Sequence, residues 1–248
     1  MLHKTITICN AKGGVGKTTS TASIGACMAM MGRKVLLIDL DGQANLTLYF
    51  IPNADDIEVS IFDSMVEGVP LPIHNVKENL DIVPSSIEMA SAEISLTNLI
   101  AREQILNKLL CMVKDRYDYI LIDCPPSLGI VTTNAFLAAD EIFVPMTPEL
   151  LPLKGMRMLD NFITTLQQVK PSVCLNGVFT TRFNNRRLNK VVENAVRSRY
   201  KDIMLNTRIR ENITLAESAG SGKSIFEYDA NSNGAKDYKA LTEEIMNR

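Results

Sequence analysis

The chain has 248 residues, 46% of them hydrophobic and 22% charged, with a formal net charge of −2. That length suits one large α/β domain, and a core of that size needs no disulfide or metal staple. The near-zero charge excludes a protein that is basic throughout, but leaves room for a local basic patch. Its five cysteines are scattered and never in a C-x-x-C spacing, and the two histidines lie far from them, so no zinc site is expected. This is the pattern of a reduced, cytosolic protein. No signal peptide opens the chain, and the long uncharged stretches Thr18–Gly32 and Cys124–Ala139 fall short of the ~20 apolar residues of a membrane span.

Short β-branched runs alternate with helix-like stretches from end to end. Strands are expected near Thr5–Cys9, Lys34–Asp39, Leu80–Val83, Tyr119–Asp123, Glu141–Pro145, Cys174–Thr181 and Ile203–Leu205. Helices are expected at Thr18–Met31, Ile87–Val113, Val131–Ala139, Leu153–Val169, Arg187–Tyr200 and Ala235–Met246. Strands apolar on both faces, alternating with helices, predict an α/β fold: a predominantly parallel, twisted sheet with helices on both faces. No linker divides the chain, so residues 1–248 read as a single domain.

After the first strand comes Ala11-Lys12-Gly13-Gly14-Val15-Gly16-Lys17-Thr18-Thr19, opening the first helix, which is the setting a P-loop requires. Glycines let successive N–H groups turn toward phosphate oxygens, and the helix N-terminus adds a favourable dipole. Lys17 is placed for the β- and γ-phosphates, and Thr18 for a Mg²⁺ ion. The first glycine of the usual P-loop pattern is replaced by Ala11, and a second lysine, Lys12, stands five residues before Lys17.

Three aspartates end apolar runs. Asp39 and Asp41 close Val35–Asp41, where side chains two apart share a face, and Asp123 closes Ile120–Asp123. In open parallel sheets ligands bind at the carboxyl ends of strands, so all three belong beside the phosphate loop. One carboxylate suits the outer shell of a hydrated Mg²⁺, and another the water that attacks the γ-phosphate.

Lys12–Thr19 resembles the deviant Walker A motif of the ParA/MinD family of P-loop ATPases, in which the early lysine reaches the partner subunit's bound phosphates. Val35–Thr47 is similar to that family's D-x-D-P-Q-G-N segment, with Gly42 in place of proline and Ala44 in place of glycine. Tyr117–Gly129 is similar to its Walker B segment, and Asp140–Gly155 to its P-x-x-x-E turn and helix. The resemblance implies ATP and Mg²⁺ as cofactors and a homodimer formed on ATP binding. It makes Lys12, Lys17 and Asp41 catalytic, with Asp41 positioning water. Residues Lys12 to Thr19 hold nucleotide, and Thr18, Asp39 and Asp123 form the metal side.

Because the first strand begins almost at Met1, the resemblance is to the short, Soj-like ParA proteins, without the helix-turn-helix extension of larger plasmid relatives. That branch implies a cytoplasmic, nucleoid-associated ATPase of slow, partner-stimulated turnover. It binds double-stranded DNA without sequence preference and answers to a ParB-like centromere-binding protein. Charge supports DNA contact independently: Arg182 to Lys223 holds ten basic and four acidic residues, a local +6, leaving −8 on the rest. The expected DNA set is Arg182, Arg186, Arg187, Lys190, Arg208, Arg210 and Lys223. In Ile209–Glu217, Glu211 and Thr214 stand where the family usually carries arginines, and Arg208 and Arg210 are neighbouring substitutes.

Two other functions share these motifs. A MinD-type, membrane-associated division-site ATPase ends in a basic, apolar amphipathic helix, whereas Tyr238–Arg248 is acidic and weakly apolar. A metabolic or iron–sulfur member of the superfamily would want two cluster cysteines per subunit, and Cys124 stands alone near the nucleotide motifs.

Overall fold

The computed structural model describes residues 3–53, 57–149 and 152–248. Eight strands form one sheet: β1 (Lys4–Ile8), β2 (Val35–Asp39), β3 (His74–Lys77), β4 (Leu80–Val83), β5 (Tyr119–Asp123), β6 (Glu141–Met146), β7 (Gly177–Phe183) and β8 (Met204–Arg210). Their spatial order is β3-β4-β2-β5-β1-β6-β7-β8, and every pairing is parallel except the β3–β4 edge. The expected α/β class and mostly parallel sheet are therefore observed.

Alternation sorts the central side chains between two cores. Ile6, Ile8, Leu37, Leu121 and Phe143 face α1 (Lys17–Met30), α2 (Asn45–Phe50), α9 (Thr214–Gly220), α10 (Ile225–Tyr228) and α11 (Asn233–Met246). Leu36, Ile38, Ile120, Ile122 and Val144 face α3 (Ile61–Val66), α4 (Ala92–Ser95), α5 (Ile105–Cys111), α6 (Ile130–Ala138), α7 (Pro152–Leu166) and α8 (Arg187–Tyr200). Helix α1 is buried nearly all round because it lies between the sheet and α11. Its approach to the sheet needs Gly25, where a Cβ would fall 2.6 Å from Leu37 Cδ2.

Several boundaries differ from expectation. Ile87–Val113 is not one helix: 3₁₀ segments at Ile87–Ser91 and Leu96–Asn98 flank the short α4, an extended Leu99 and a left-handed Ala101 (φ 52°) follow, and a third 3₁₀ turn at Arg102–Gln104 leads into α5. The Asn134 side chain sustains the break, accepting from Leu106 N and donating to Arg102 O. Strand β7 starts at Gly177 rather than Cys174, and β8 runs on to Arg210 as an edge strand with alternating exposure. Strand β3 and helices α2, α3, α9 and α10 are short elements outside the expected set. Within the family-like stretch Asp140–Gly155, Leu150 and Leu151 lie outside the described residues.

Along β8, three backbone N–H groups are taken by carboxylates of α11. Asn206 and Thr207 donate to Glu244 at 2.8 and 2.9 Å, and Arg210 donates to Asp237 at 2.9 Å.

Candidate active site

The loop between β1 and α1 stands at the carboxyl end of the sheet. Gly14 (φ 71°) and Gly16 (φ 86°) take left-handed conformations that a side chain would strain, which is how the loop folds back before α1 starts at Lys17. Two polar side chains hold it from neighbouring strand ends. Asn10 donates to Pro145 O at 2.8 Å and accepts from Lys12 N at 2.9 Å, and the Thr181 hydroxyl donates to Val15 O at 2.8 Å. Neither holder is legible in the motifs. Asn10 carries a weak signal as a polar residue directly after an apolar strand, and Thr181 carries none.

The two lysines of the loop point to different places. Lys17 is buried, with its ammonium donating to Lys12 O at 3.4 Å, so it lies beneath the loop where it lines the cleft. The Lys12 ammonium is exposed and pairs with Glu149, between β6 and α7.

Asp39 and Asp123 face each other in register on β2 and β5, both fully buried. Asp39 accepts from Thr47 N and Thr47 Oγ1, each at 2.8 Å, and from Asp41 N at 3.1 Å. The Thr18 hydroxyl donates to Asp123 Oδ2 at 2.6 Å. Burial pushes the Asp39 carboxyl up to about 6 despite these donors. Burial, and then the Asp39 charge, hold Asp123 well above the ordinary carboxylate range, against the pull of Thr18 and Lys17. Two buried carboxyls short of positive charge, beside a threonine hydroxyl, form a hard oxygen donor set that fits a divalent cation holding most of its own waters. Asp41 is half-buried on the wall of the cleft, where its Oδ1 accepts from Gln43 N at 3.0 Å.

The cleft measures about 1180 Å³. Gly13, Gly14, Gly16, Lys17, Thr18 and Thr19 line one end of it, and Asp41 and Pro126 stand near them. Leu48, Tyr49, Pro52, Ile213 and Leu215 supply apolar wall elsewhere. A nucleoside with a phosphate chain matches that mixture of backbone donors, buried lysine and apolar wall.

The seven basic residues expected on DNA do not share one environment. Arg186, Arg187 and Lys190 are exposed around the start of α8 and make no ion pair among the described residues, and Lys223 is exposed beyond α9. Arg182 and Arg210 line the cleft. Arg210 is also held by Asp237 in a two-pronged pair, Nε–Oδ2 2.9 Å and Nη2–Oδ1 2.6 Å. Arg208 pairs with the buried Glu193 at 2.6 Å and lies over the Phe183 ring. Cys124 is buried in the core, with Cys9 as a hydrogen-bonding neighbour.

A family model described as an AAA domain matches residues 3–175. The chain is 39% identical to the sporulation initiation inhibitor protein Soj of Bacillus subtilis, over 98% of each chain. It is 37% identical to the chromosome-partitioning ATPase Soj of Treponema pallidum, over 100% of this chain and 98% of that one. Among solved structures it is similar to a plasmid partition protein of Borrelia burgdorferi bound to AMPPNP, with 29% identity, a TM-score of 0.86 and 99% of both chains covered. It is also similar to a cobyrinic acid a,c-diamide synthase of Mycobacterium smegmatis with bound ADP and magnesium, with 30% identity, a TM-score of 0.86, and 99% and 94% covered. Motif, sheet order and full-length similarity agree: the chain belongs to the AAA-domain family of P-loop ATPases and, within it, to the ParA/Soj-like partitioning ATPases.

Proposed function

We propose that this chain is a single-domain DNA-partitioning ATPase that dimerises on ATP, binds double-stranded DNA without sequence preference as that dimer, and releases it on hydrolysis. The carrying observation is the divergence of the two lysines. Lys17 is committed to its own cleft, whereas the Lys12 ammonium stands outside it on an exposed carboxylate, free to exchange that partner for a second subunit's phosphates. An exposed ion pair is worth only about 0–1 kcal/mol, so the exchange costs little.

The cofactors in this reading are ATP and Mg²⁺. Mg²⁺ would be held by the Thr18 hydroxyl with Asp123 and Asp39 nearby, and when bound it would supply positive charge against the phosphoryl oxygens. The backbone of Lys12 to Thr19 binds the phosphates, Lys17 supplies charge to the β- and γ-oxygens, and Asp41 orients the attacking water. Catalysis of this kind is positioning and electrostatics, which fits a slow basal rate raised by a ParB-like centromere-binding partner.

The exposed cluster Arg186, Arg187 and Lys190 supports DNA contact, and doubling it in a dimer strengthens a contact too weak singly. The cytoplasm, on the nucleoid, is the place this activity requires. Against the membrane reading stands α11, whose Ala235, Tyr238, Leu241 and Ile245 are buried against α1 and β8, leaving no free apolar face. Among the described residues no helix is long and apolar enough to cross a membrane. Higher identity to Soj proteins than to the M. smegmatis synthase favours segregation over metabolism. Co-sedimentation with plasmid DNA of unrelated sequences in ATP, ADP or no nucleotide tests the proposal: ATP-dependent, sequence-blind binding is expected, and ATP-dependent binding to anionic vesicles with none to DNA would overturn it.

A further inference from the structure

The loop after β5, Cys124–Gly129, carries Pro126 into the cleft and ends where α6 begins. Its upstream end is held through Asp123. Its downstream end is held by a residue from a distant part of the sequence: Glu93, on α4, accepts from Ile130 N at 2.8 Å. The other carboxylate oxygen of Glu93 is buried without a hydrogen-bond partner and lies against Gly129, where an added Cβ would fall 2.2 Å from it. A side chain at this position would have to push the Glu93 carboxylate out of its place, although the Gly129 backbone itself is ordinary extended chain (φ −106°).

The same segment abuts the loop after β2. A Cβ on Gly42 would lie 2.7 Å from Ala90 N, so the backbone ahead of α4 lies directly against the neighbour of Asp41. Ala92 and Leu96, buried in the core, anchor α4 beneath both loops.

We infer that Glu93 is a positioning residue for ATP turnover: by holding Ile130 N–H and packing on Gly129, it sets the loop bearing Pro126 against the phosphate end of the cleft. The inference rests on the ATPase reading above. Glu93 touches no reacting atom, so its effect falls on the rate of the chemical step and not on nucleotide affinity.

Single-turnover hydrolysis and the Kd of a fluorescent ATP analogue are measured for wild type, Glu93→Ala, Glu93→Gln, Gly129→Ala and the double variant Glu93→Ala/Gly129→Ala. Glu93→Ala is expected to slow hydrolysis about tenfold, the scale of a small misplacement near a reacting group, with Kd changed less than about twofold. Glu93→Gln, whose carbonyl can take the same N–H, recovers most of the rate. Gly129→Ala slows hydrolysis similarly by pushing on the carboxylate, and adds little once Glu93 is already alanine, because two changes at one point of packing are not additive. Wild-type turnover with an unchanged rate in Glu93→Ala overturns the inference alone, as does full additivity in the double variant. So does a joint fall of rate, affinity and melting temperature that glutamine does not rescue. A wild-type chain that hydrolyses no ATP overturns the ATPase reading and the inference with it.

Discussion

The hydroxyl of Thr18 and the carboxylate of Asp123 meet over 2.6 Å, joining the first turn of α1 to the end of β5. Through that contact the glycine loop and the carboxylate proposed for the metal side are set by one bond, while Asp39 crowds Asp123 from the adjacent strand. Asp123→Asn keeps an acceptor for Thr18 but removes a buried carboxyl that Asp39 crowds and that Lys17 only partly offsets. Its apo stability is expected to rise by about 1 kcal/mol, the usual scale for relieving a functional site. The extra stability that Mg²⁺ and ATP give the wild type is expected to vanish. Melting curves in EDTA and in Mg²⁺–ATP read both effects, and an unchanged Mg²⁺–ATP gain would reject Asp123 as the metal-side carboxylate.

Lys17→Ala is expected to lose about 2 kcal/mol or more of nucleotide binding, roughly thirtyfold in Kd, because a buried ammonium facing phosphate makes charge-assisted contacts. Equilibrium binding of labelled ATP measures it. Unchanged affinity would remove the basis for placing phosphates in this loop.

Lys12→Ala and Asp41→Ala are expected to part company. The first breaks only an exposed pair with Glu149, so nucleotide should bind within about threefold of wild type, but to a monomer. The second leaves the phosphate cradle intact and removes water positioning, so the ATP dimer should accumulate. Light scattering with ATP distinguishes them, and equal dimer fractions would refute the assigned roles.

Charge reversal in the basic segment is expected to give two outcomes. Arg187→Glu or Lys190→Glu, at exposed positions around the start of α8, should weaken binding to every DNA sequence alike. Each phosphate that is no longer neutralised should flatten the dependence of log K on log salt by about 0.9. Arg210→Glu instead sets a carboxylate against Asp237 and should lower the melting temperature, whatever it does to DNA. Titrations at several salt concentrations, with melting curves alongside, separate a DNA contact from a structural pair.

The parts of this site that are legible in sequence are those encoded by adjacent residues. Strand, glycine loop, lysine and helix stand together in the first 31 residues, and Asp39, Asp41 and Asp123 each end an apolar run. What local sequence does not carry is contact across long separations. Thr181 reaches Val15, Glu93 reaches Ile130 and Asp237 reaches Arg210, and nothing local marks any of them. The break in Ile87–Val113 has the same origin, since the apolar spacing is helical but Asn134, from another element, supplies the partners that end it. Strand β3 gives no periodic signal because His74–Lys77 is a half-exposed, irregular edge without an apolar face.

Both margins of the sheet are closed to growth. At one, β3 is short, polar and shifted in register at Asn75–Lys77, a poor template for a further strand. At the other, Glu244 and Asp237 have already claimed three of the backbone donors that an incoming strand would need. The described residues thus offer no open backbone edge on which copies of the chain could stack strand to strand. The dimer proposed to form on ATP would then have to pair through side-chain surfaces, and its assembly would follow the charge that nucleotide brings and removes.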